Sequence, residues 1–288
     1  MISHSKIQVN LPFKPSILNS YAFRSENNPD EIFLLDSGTS LSDTLSDLEQ
    51  GLKKVDPKLN LESIAWIAPT HAHIDHLGGL QKIKERSGAK IIIHQDEYNY
   101  FVYNRPSKWI DDVFSQYGIP DTILDQFHTY SSYYEKYYDS FTPDEYLTGD
   151  EGKLPFIDEL NFIKISGHTP YHIAIILENQ KAIFTGDTIL SKITPNLGFS
   201  SRLANPVKDY IETMTLLSEK YDSWTAYPGH QDIITNIKKR ADIILFLLQE
   251  RLENVEHFFQ RKGAGLPSLV KSLYPIVWSD PIQRYLAV

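Results

Sequence analysis

A histidine-rich segment directly after an apolar run is the feature that most constrains this chain. Residues 64–68 (IAWIA) predict a buried strand that ends at Pro69, and the sequence THAHIDH of residues 70–76 follows at once. His71 and His73 alternate, so both can point to the same side of an extended loop. The next aspartate and histidine lie where the chain turns towards a pair of glycines, which permits a sharp backbone path. One short loop can therefore supply two adjacent metal ions from two pairs of residues.

Three later segments also place histidine or aspartate where a predicted strand runs into a loop. They are Gly167-His168-Thr169-Pro170, Gly186-Asp187-Thr188 and Pro228-Gly229-His230. Each segment alone is an ordinary turn, whereas the four segments together indicate a metal site. The chain has no cysteine, so any transition-metal site must use imidazole and carboxylate ligands.

Strand-like and helical runs alternate along the chain. Strands are predicted at 6–11, 20–24, 31–35, 64–68, 90–94, 160–165, 173–177, 181–184 and 223–226, and helices at 41–52, 80–86 and 207–220. Strands separated by helices are typical of layered α/β proteins.

Two regions depart from this alternation. Residues from about 96 to 152 are rich in tyrosine and interrupted by prolines, which predicts a mostly helical insertion of two to four short helices. The tyrosines either form an aromatic lid over the site or simply pack the insertion. From residue 236 onward the pattern is helical, with a long helix ending near Gly263 and a second one from Pro267 to Leu273. We therefore predict a small helical, winged-helix-like C-terminal domain over 236–288.

Charge and hydropathy limit the classes of partner. The formal net charge is -9, which argues against a dominant attraction to nucleic acid or to an anionic membrane. No stretch approaches the roughly 20 uninterrupted apolar residues that a membrane span needs. Residues 1–10 lack the apolar and basic regions of a secretory signal, so a cytoplasmic location is expected.

With its four histidine and aspartate segments in this order, the chain resembles the metallo-β-lactamase superfamily over roughly residues 6 to 235. The resemblance is to the hydrolase branch that includes glyoxalase II and lactonases. It implies an α/β fold, a four-layer αββα sandwich, with a catalytic domain over 1–235. It also implies two divalent metal ions, the first held by His71, His73 and His168, the second by Asp75, His76 and His230, with Asp187 bridging both. These ligand types suit Zn2+ best and leave Fe or Mn open.

The implied chemistry is hydrolysis without a covalent intermediate. Two cations about 3.5–4 Å apart can share one water and lower its pKa from 15.7 towards ~7, so that a metal-bridged hydroxide would attack a carbonyl or phosphorus atom. Asp187 and Asp75 would offset the cationic charge, and Asp75 is a reasonable proton shuttle to the leaving group. Zinc β-lactamases of the superfamily generally carry a cysteine at the position matched by Asp187. The resemblance therefore favours an ester, thioester or lactone of a small acyl substrate.

Two other functions stay open from the sequence. The cationic C-terminal stretch, including Lys238, Lys239, Arg240, Arg251 and residues 261–262, resembles the small helical domain of β-lactamase-like endoribonucleases, which would imply a phosphodiesterase acting on nucleic acid. Cations spread along a helix are, however, most often a solvated face. The third alternative is a metal-binding signal or regulatory protein with low turnover.

Several polar side chains outside the implied ligand set have two interpretations each. Asp36 either orients the site through hydrogen bonds or caps a turn. His172 either contacts substrate or a ligand, or packs in the core, and His94 either packs or supports the site. The remaining histidines, His4, His128 and His257, are expected at the surface.

Overall fold

Two β-sheets form the centre of the molecule, and helices cover the outer face of each. A computed structural model describes residues 1–104, 119–197 and 205–262, together with residues 265, 268 and 269. Along the chain the elements are β1 (Ile2–Asn10), β2 (Ile17–Ser25), β3 (Asn28–Leu35), α1 (Ser42–Val55), β4 (Ile64–Ala68), α2 (Ile74–Leu77), α3 (Leu80–Ser87), β5 (Lys90–His94), α4 (Gln95–Asn104), α5 (Asp121–Tyr134), β6 (Glu145–Leu147), β7 (Glu151–Leu154), β8 (Ile157–Lys164), β9 (Ile173–Leu177), β10 (Ala182–Gly186), α6 (Pro206–Lys220), β11 (Thr225–Pro228) and α7 (Ile237–Lys262).

The first sheet contains six strands in the order β1-β2-β3-β4-β5-β6, and the second contains five in the order β11-β10-β9-β8-β7. The first sheet begins antiparallel and becomes parallel from β3 onward. The second sheet is antiparallel except for the parallel pair of β10 and β11. Strands β5 and β10 are buried along nearly their whole length, as is typical of parallel strands with apolar sequences.

Three apolar cores lie between the four layers. One core joins the first sheet to α1 and α3 and includes Leu48 and Ile83. The second fills the space between the sheets, where Phe23 of one meets Phe184 of the other at 4.6 Å between ring centroids. The third joins the second sheet to α6 and α7 and includes Met214. Three cores between four layers confirm the predicted αββα sandwich.

The predicted helix boundaries agree closely where a capping residue marks them. The helix predicted to stop at Gly88 does so, because Gly88 adopts the left-handed conformation with φ of 74°. Helix α6 begins at Pro206, directly after Asn205, whose side chain accepts a hydrogen bond from the backbone N–H of Lys208.

The tyrosine-rich segment is only partly helical. Helices α4 and α5 and a short 3-10 turn at Glu135–Tyr137 lie within it, while residues 105–118 fall outside the described residues. Strand β6 also lies within it and extends the first sheet by pairing parallel with β5. The segment thus leaves the sandwich after β5 and returns to it before residue 152.

Helix α7 begins the predicted C-terminal domain but is joined to the sandwich. Ile237, Ala241, Ile244 and Leu248 are buried in the core between the second sheet and its helices. Nearly all of the helix predicted at 267–273 falls outside the described residues, so the separate domain stays a prediction. Among the described helices, none is long and apolar enough to cross a membrane.

Candidate metal centre

The loops that follow β4, β8, β10 and β11 meet at one edge of the sandwich. These four strands end at this edge, and each is followed within a few residues by one of the histidine or aspartate segments. The segment after β4 belongs to the first sheet and the other three belong to the second. All seven ligands implied by the resemblance therefore lie together, and three overlapping groups of them place their ligand atoms within 4.8 Å of one another.

The first group consists of three imidazoles. Nε2 of His71 lies 2.9 Å from Nδ1 of His73, and Nε2 of His168 lies 3.0 Å from the same atom. Two nitrogens bound to one tetrahedral Zn2+ are about 3.3 Å apart, so these spacings are near those of a metal site. His71 and His168 are buried and His73 is exposed to solvent, so the group has an open side.

The second group joins a carboxylate to two imidazoles. Nε2 of His230 lies 3.1 Å from Oδ2 of Asp75, and Nε2 of His76 lies 3.8 Å from the same oxygen. Asp75 and His76 come from the short helix α2, whose turn places both side chains beside the His71–His73 loop. The two groups are therefore built from one continuous stretch of six residues, each completed by a histidine of the second sheet.

Asp187 lies between the two groups. Its Oδ1 is 3.6 Å from Nε2 of His76, and its Oδ2 is 3.4 Å from Nε2 of His230 and 3.9 Å from Nε2 of His168. One carboxylate therefore faces ligand atoms of both groups. This position fits the bridging role that the resemblance implies for Asp187.

Two buried polar atoms in the centre have no hydrogen-bond partner within the described part of the chain. They are Nε2 of His76 and Oδ1 of Asp187, which face each other. A buried polar atom without a partner is costly unless an ion or water satisfies it. A divalent cation between an imidazole nitrogen and a carboxylate oxygen would satisfy both, so these residues fit a metal ion.

The opposite ring nitrogen of three histidines donates to a fixed acceptor. Nδ1 of His168 lies 2.7 Å from the carbonyl of Asn196, and Nδ1 of His230 lies 2.6 Å from the carbonyl of Ile17. A carbonyl oxygen only accepts, so each Nδ1 carries a proton and each Nε2 is the ring nitrogen that faces the centre. Nδ1 of His76 donates in the same way to Oδ2 of Asp36 at 2.9 Å. Such contacts are typical of histidines that bind metal.

Asp36 orients the histidine loop. Its Oδ1 accepts from the backbone N–H of Thr70 at 2.7 Å, and the Thr70 hydroxyl lies 3.0 Å from Nδ1 of His71. Asp36 adopts φ of 64°, which is uncommon outside glycine and is tolerated best by Asn and Asp. Of the two interpretations open from the sequence, the orienting one describes the observed contacts.

The charges of the centre favour a cation. Burial acts to raise the pKa of Asp187, yet the imidazoles of His230 and His76 hold that pKa well below its usual range. Burial likewise acts against ionisation of Asp75, whose pKa His76 and His230 bring down to about 2. Burial lowers the pKa of His168, which keeps its imidazole neutral. Both carboxylates are therefore anionic at neutral pH. Burial acts to lower the pKa of His76 and of His230, yet the neighbouring carboxylates raise both, so a divalent cation would take the place of these imidazole protons.

Strand β2 supplies contacts that the sequence did not lead us to expect. Nδ2 of Asn19 donates to the carbonyls of Pro228 at 3.1 Å and Gln231 at 3.0 Å, and the hydroxyl of Tyr21 donates to Pro228 at 2.7 Å. A strand of the first sheet thereby holds the loop that carries His230. The sequence offered as a signal only an asparagine directly before the strand predicted at 20–24.

The other histidines have structural positions. His172 is buried, its Nε2 accepts from the backbone N–H of Asp187 at 3.2 Å, and its ring stacks on His71 at 4.6 Å between centroids. His94 is buried, with Nε2 donating to the carbonyl of Gly149 at 2.9 Å. His257 is exposed, as expected.

Two histidines expected at the surface are only partly exposed. His128 is half-buried. His4 is also half-buried, because its ring packs edge-on against Phe184 at 5.0 Å and Tyr227 at 4.8 Å between centroids.

Sequence comparisons with known proteins agree with the geometry of the metal centre. Residues 14–230 match the sequence profile of the metallo-beta-lactamase superfamily. A probable metallo-hydrolase, YflN, of Bacillus subtilis is 22% identical over 178 residues, which are 61% of this chain and 62% of that protein. The hydroxyacylglutathione hydrolase GloC of Haemophilus influenzae is 27% identical over 122 residues, 42% of this chain and 47% of that protein. The chain thus matches less than two thirds of the length of either relative.

A solved structure has the same fold. A metallo-beta-lactamase family protein of Thermus thermophilus superposes with a TM-score of 0.78 at 22% identity, covering 99% of this chain and 89% of that one. The family profile covers well over half of the chain, including all the segments that form the metal centre. The chain belongs to the metallo-β-lactamase superfamily.

Proposed function

We propose that the protein is a dinuclear metal-dependent hydrolase that acts on an ester, thioester or lactone of a small acyl substrate. The observation that supports this most is the position of Asp187, whose two oxygens face imidazoles of both ligand groups. His71, His73 and His168 would hold one divalent ion, and Asp75, His76 and His230 the other. Zn2+ suits these ligands best, and Fe or Mn fits the same ligand types.

The two carboxylates of the centre, Asp187 and Asp75, would offset the charge of the ions, and Asp75 would also transfer a proton. A pair of such ions, when bound, supplies Lewis-acid polarisation of a carbonyl and a nucleophilic water of lowered pKa. Asp187 and Asp75 offset the cationic charge, because both are ionised at neutral pH. Asp75 would pass a proton to the leaving atom, since its carboxylate lies beside the ligand atoms of the second group.

An aromatic cluster beside the metal loop suits an acyl group. The ring of Phe13 packs on Tyr134 at 5.0 Å and on Tyr137 at 5.3 Å between centroids, and Tyr133 extends the cluster. The backbone carbonyl of Tyr137 lies directly against Gly78, which follows α2. The cluster therefore adjoins the ligand-bearing segment, and aromatic side chains provide apolar surface with a phenol group at one edge.

The contacts of α7 weigh against the alternative of a nucleic-acid phosphodiesterase. The guanidinium of Arg240 donates to the carbonyls of Leu190 at 2.6 Å and Ile193 at 2.7 Å. Lys238 pairs with Asp242 at 3.2 Å. Two of the cations that suggested a phosphate-binding stretch are thus engaged within the chain, and the net charge of -9 acts in the same direction.

The proposal is tested by metal content and a substrate panel on one preparation. We expect two metal ions per chain by elemental analysis, and hydrolysis of acyl thioesters, esters or lactones in preference to phosphodiesters and short RNA. Asp187→Ala should abolish hydrolysis and reduce metal content, because it removes a ligand that serves both ions. Asp222→Ala, which removes an exposed carboxylate, is the matched control. A metal-free wild-type protein after metal-replete purification, or hydrolysis of RNA alone, would refute the proposal.

A further inference from the structure

Glu97 is a buried carboxylate outside the ligand set. It lies in the first turn of α4, where the tyrosine-rich segment begins, and only 1% of it is exposed. A buried carboxylate is costly unless hydrogen-bond donors satisfy it, so the donors around Glu97 indicate what it does.

Both oxygens of Glu97 accept from backbone N–H groups of ligand-bearing loops. Oε1 accepts from Ala72 at 2.8 Å, and Oε2 accepts from Tyr171 at 3.0 Å. Ala72 separates His71 from His73, and Tyr171 lies three residues after His168. One side chain therefore joins the loop that follows β4 of the first sheet to the loop that follows β8 of the second.

These two loops carry the three imidazoles of the first ligand group. We propose that Glu97 is a positioning residue that fixes the distance between the His71–His73 loop and the His168 loop, and so sets the affinity of the three-histidine site. This inference rests on the proposed function, because it concerns how tightly one of its two ions is held.

The contacts that orient the imidazoles of the second ligand group do not include Glu97. His76 is oriented by Asp36, and His230 by the carbonyl of Ile17. Neither contact involves α4. A change at Glu97 should therefore weaken one site selectively, whereas general loosening of the fold would weaken both.

Substituting glutamine for Glu97 would remove one of its two hydrogen bonds and keep the other. A carboxylate accepts at both oxygens, whereas an amide of the same shape accepts at one and presents N–H donors at the other position. Glu97→Gln therefore keeps the packing but turns the amide NH2 towards one backbone N–H. Glu97→Asp keeps two acceptors on a shorter side chain and should have a smaller effect.

The experiment is a Zn2+ titration of chelator-stripped full-length protein against a chromophoric competitor. For Glu97→Gln we expect one of two binding steps to weaken by about 10–100-fold while the other is unchanged, as is typical when a residue that supports a metal ligand is lost. Asp96→Asn, one residue away and exposed, is the matched control and should leave both steps unchanged. The visible spectrum of the Co2+-loaded variant should change for one ion only.

The outcomes separate this inference from the proposed function. Two tight steps in the wild type with both unchanged in Glu97→Gln would overturn the positioning role alone. Equal weakening of both steps would also overturn it, since that result indicates loss of general stability. A wild type that binds fewer than two ions would refute the proposed function and this inference together. If Glu97→Gln does not fold, selective weakening of one step in Glu97→Asp decides the question.

Discussion

At the scale of single residues, Gly229 shows how little spare space the centre contains. A Cβ atom added there would lie 2.7 Å from Oδ1 of Asp187 and 2.7 Å from Cε1 of His76. The φ angle of Gly229 lies outside the left-handed region, so the backbone itself would accept alanine. Glycine is required at this position because the side chains of Asp187 and His76 occupy the space that a Cβ atom would fill.

Gly229→Ala should therefore reduce metal binding more than folding. We expect the added methyl group to displace Asp187 or His76 and to lower affinity at the site they share by at least about tenfold. Metal content after dialysis and circular dichroism of the same sample would measure both effects. Gly88→Ala is the control, because it imposes left-handed strain of roughly 1 kcal/mol far from the centre and should leave metal content intact. Full metal content in Gly229→Ala would contradict the steric argument.

The site residues that could be predicted from the sequence are those whose side chains commonly bind metal. Histidine and aspartate at strand ends indicated a metal site, the family resemblance implied which seven residues would be its ligands, and the structure brings these seven side chains together. Glu97 and Asn19 could not be found in this way, because their partners are backbone groups, which every residue possesses. A glutamate in the first turn of a helix is usually exposed to solvent and interacts favourably with the helix dipole. Only the folded chain shows that this one is buried.

At the scale of elements, α7 is attached to the loop that follows Asp187. Arg240 donates to two carbonyls of that loop, and the hydroxyl of Tyr210 on α6 donates to the carbonyl of Thr188 at 2.9 Å. The same loop leads to Asn196, whose carbonyl orients His168. A helix of the outer layer therefore supports the backbone on which the position of His168 depends.

Arg240→Met should destabilise the protein by about 1–2 kcal/mol, because two carbonyls lose their donors while the apolar stem is kept. Urea unfolding would measure the loss, and hydrogen exchange should accelerate in residues 188–193. Lys239→Met removes the same charge from the neighbouring exposed position and should have little effect. An equal loss in both variants would show that charge, rather than the carbonyl contacts, is responsible.

Strands marked by a continuous apolar run were predictable, and the shortest strands were not. The strands at 64–68, 90–94 and 173–177 match their predictions because continuous apolar runs mark them. Strands β6 and β7, of three and four residues, were missed because little in their sequences favours a strand. They form by pairing with β5 and β8, which is a long-range property of the fold.

At the scale of the whole molecule, the metal centre is where the two sheets are joined. The first sheet contributes four of the seven proposed ligands and the second contributes three. Bound ions would therefore cross-link the two halves of the sandwich. Their binding energy becomes part of the stability of the folded state, because the unfolded chain has no such site.

Removal of metal should lower the melting temperature. At a free ion concentration of about 1,000 times Kd, one site adds about 4 kcal/mol, which for a domain of this size is a shift on the order of 10 °C. Differential scanning calorimetry with and without a chelator would measure it, and adding Zn2+ back should restore the value. An unchanged melting temperature would indicate that the centre holds no structural ion.

The hydrogen bonds from β2 to the His230 loop have a further consequence. The backbone N–H of Asn19 donates to the carbonyl of Gly229 at 2.6 Å, and its side chain donates to two more carbonyls. These hydrogen bonds join the two sheets beside the metal centre through the polypeptide itself. The imidazole and carboxylate donors of the centre select weakly among first-row metals. We expect cellular supply, rather than the shape of the pocket, to decide which element the protein carries.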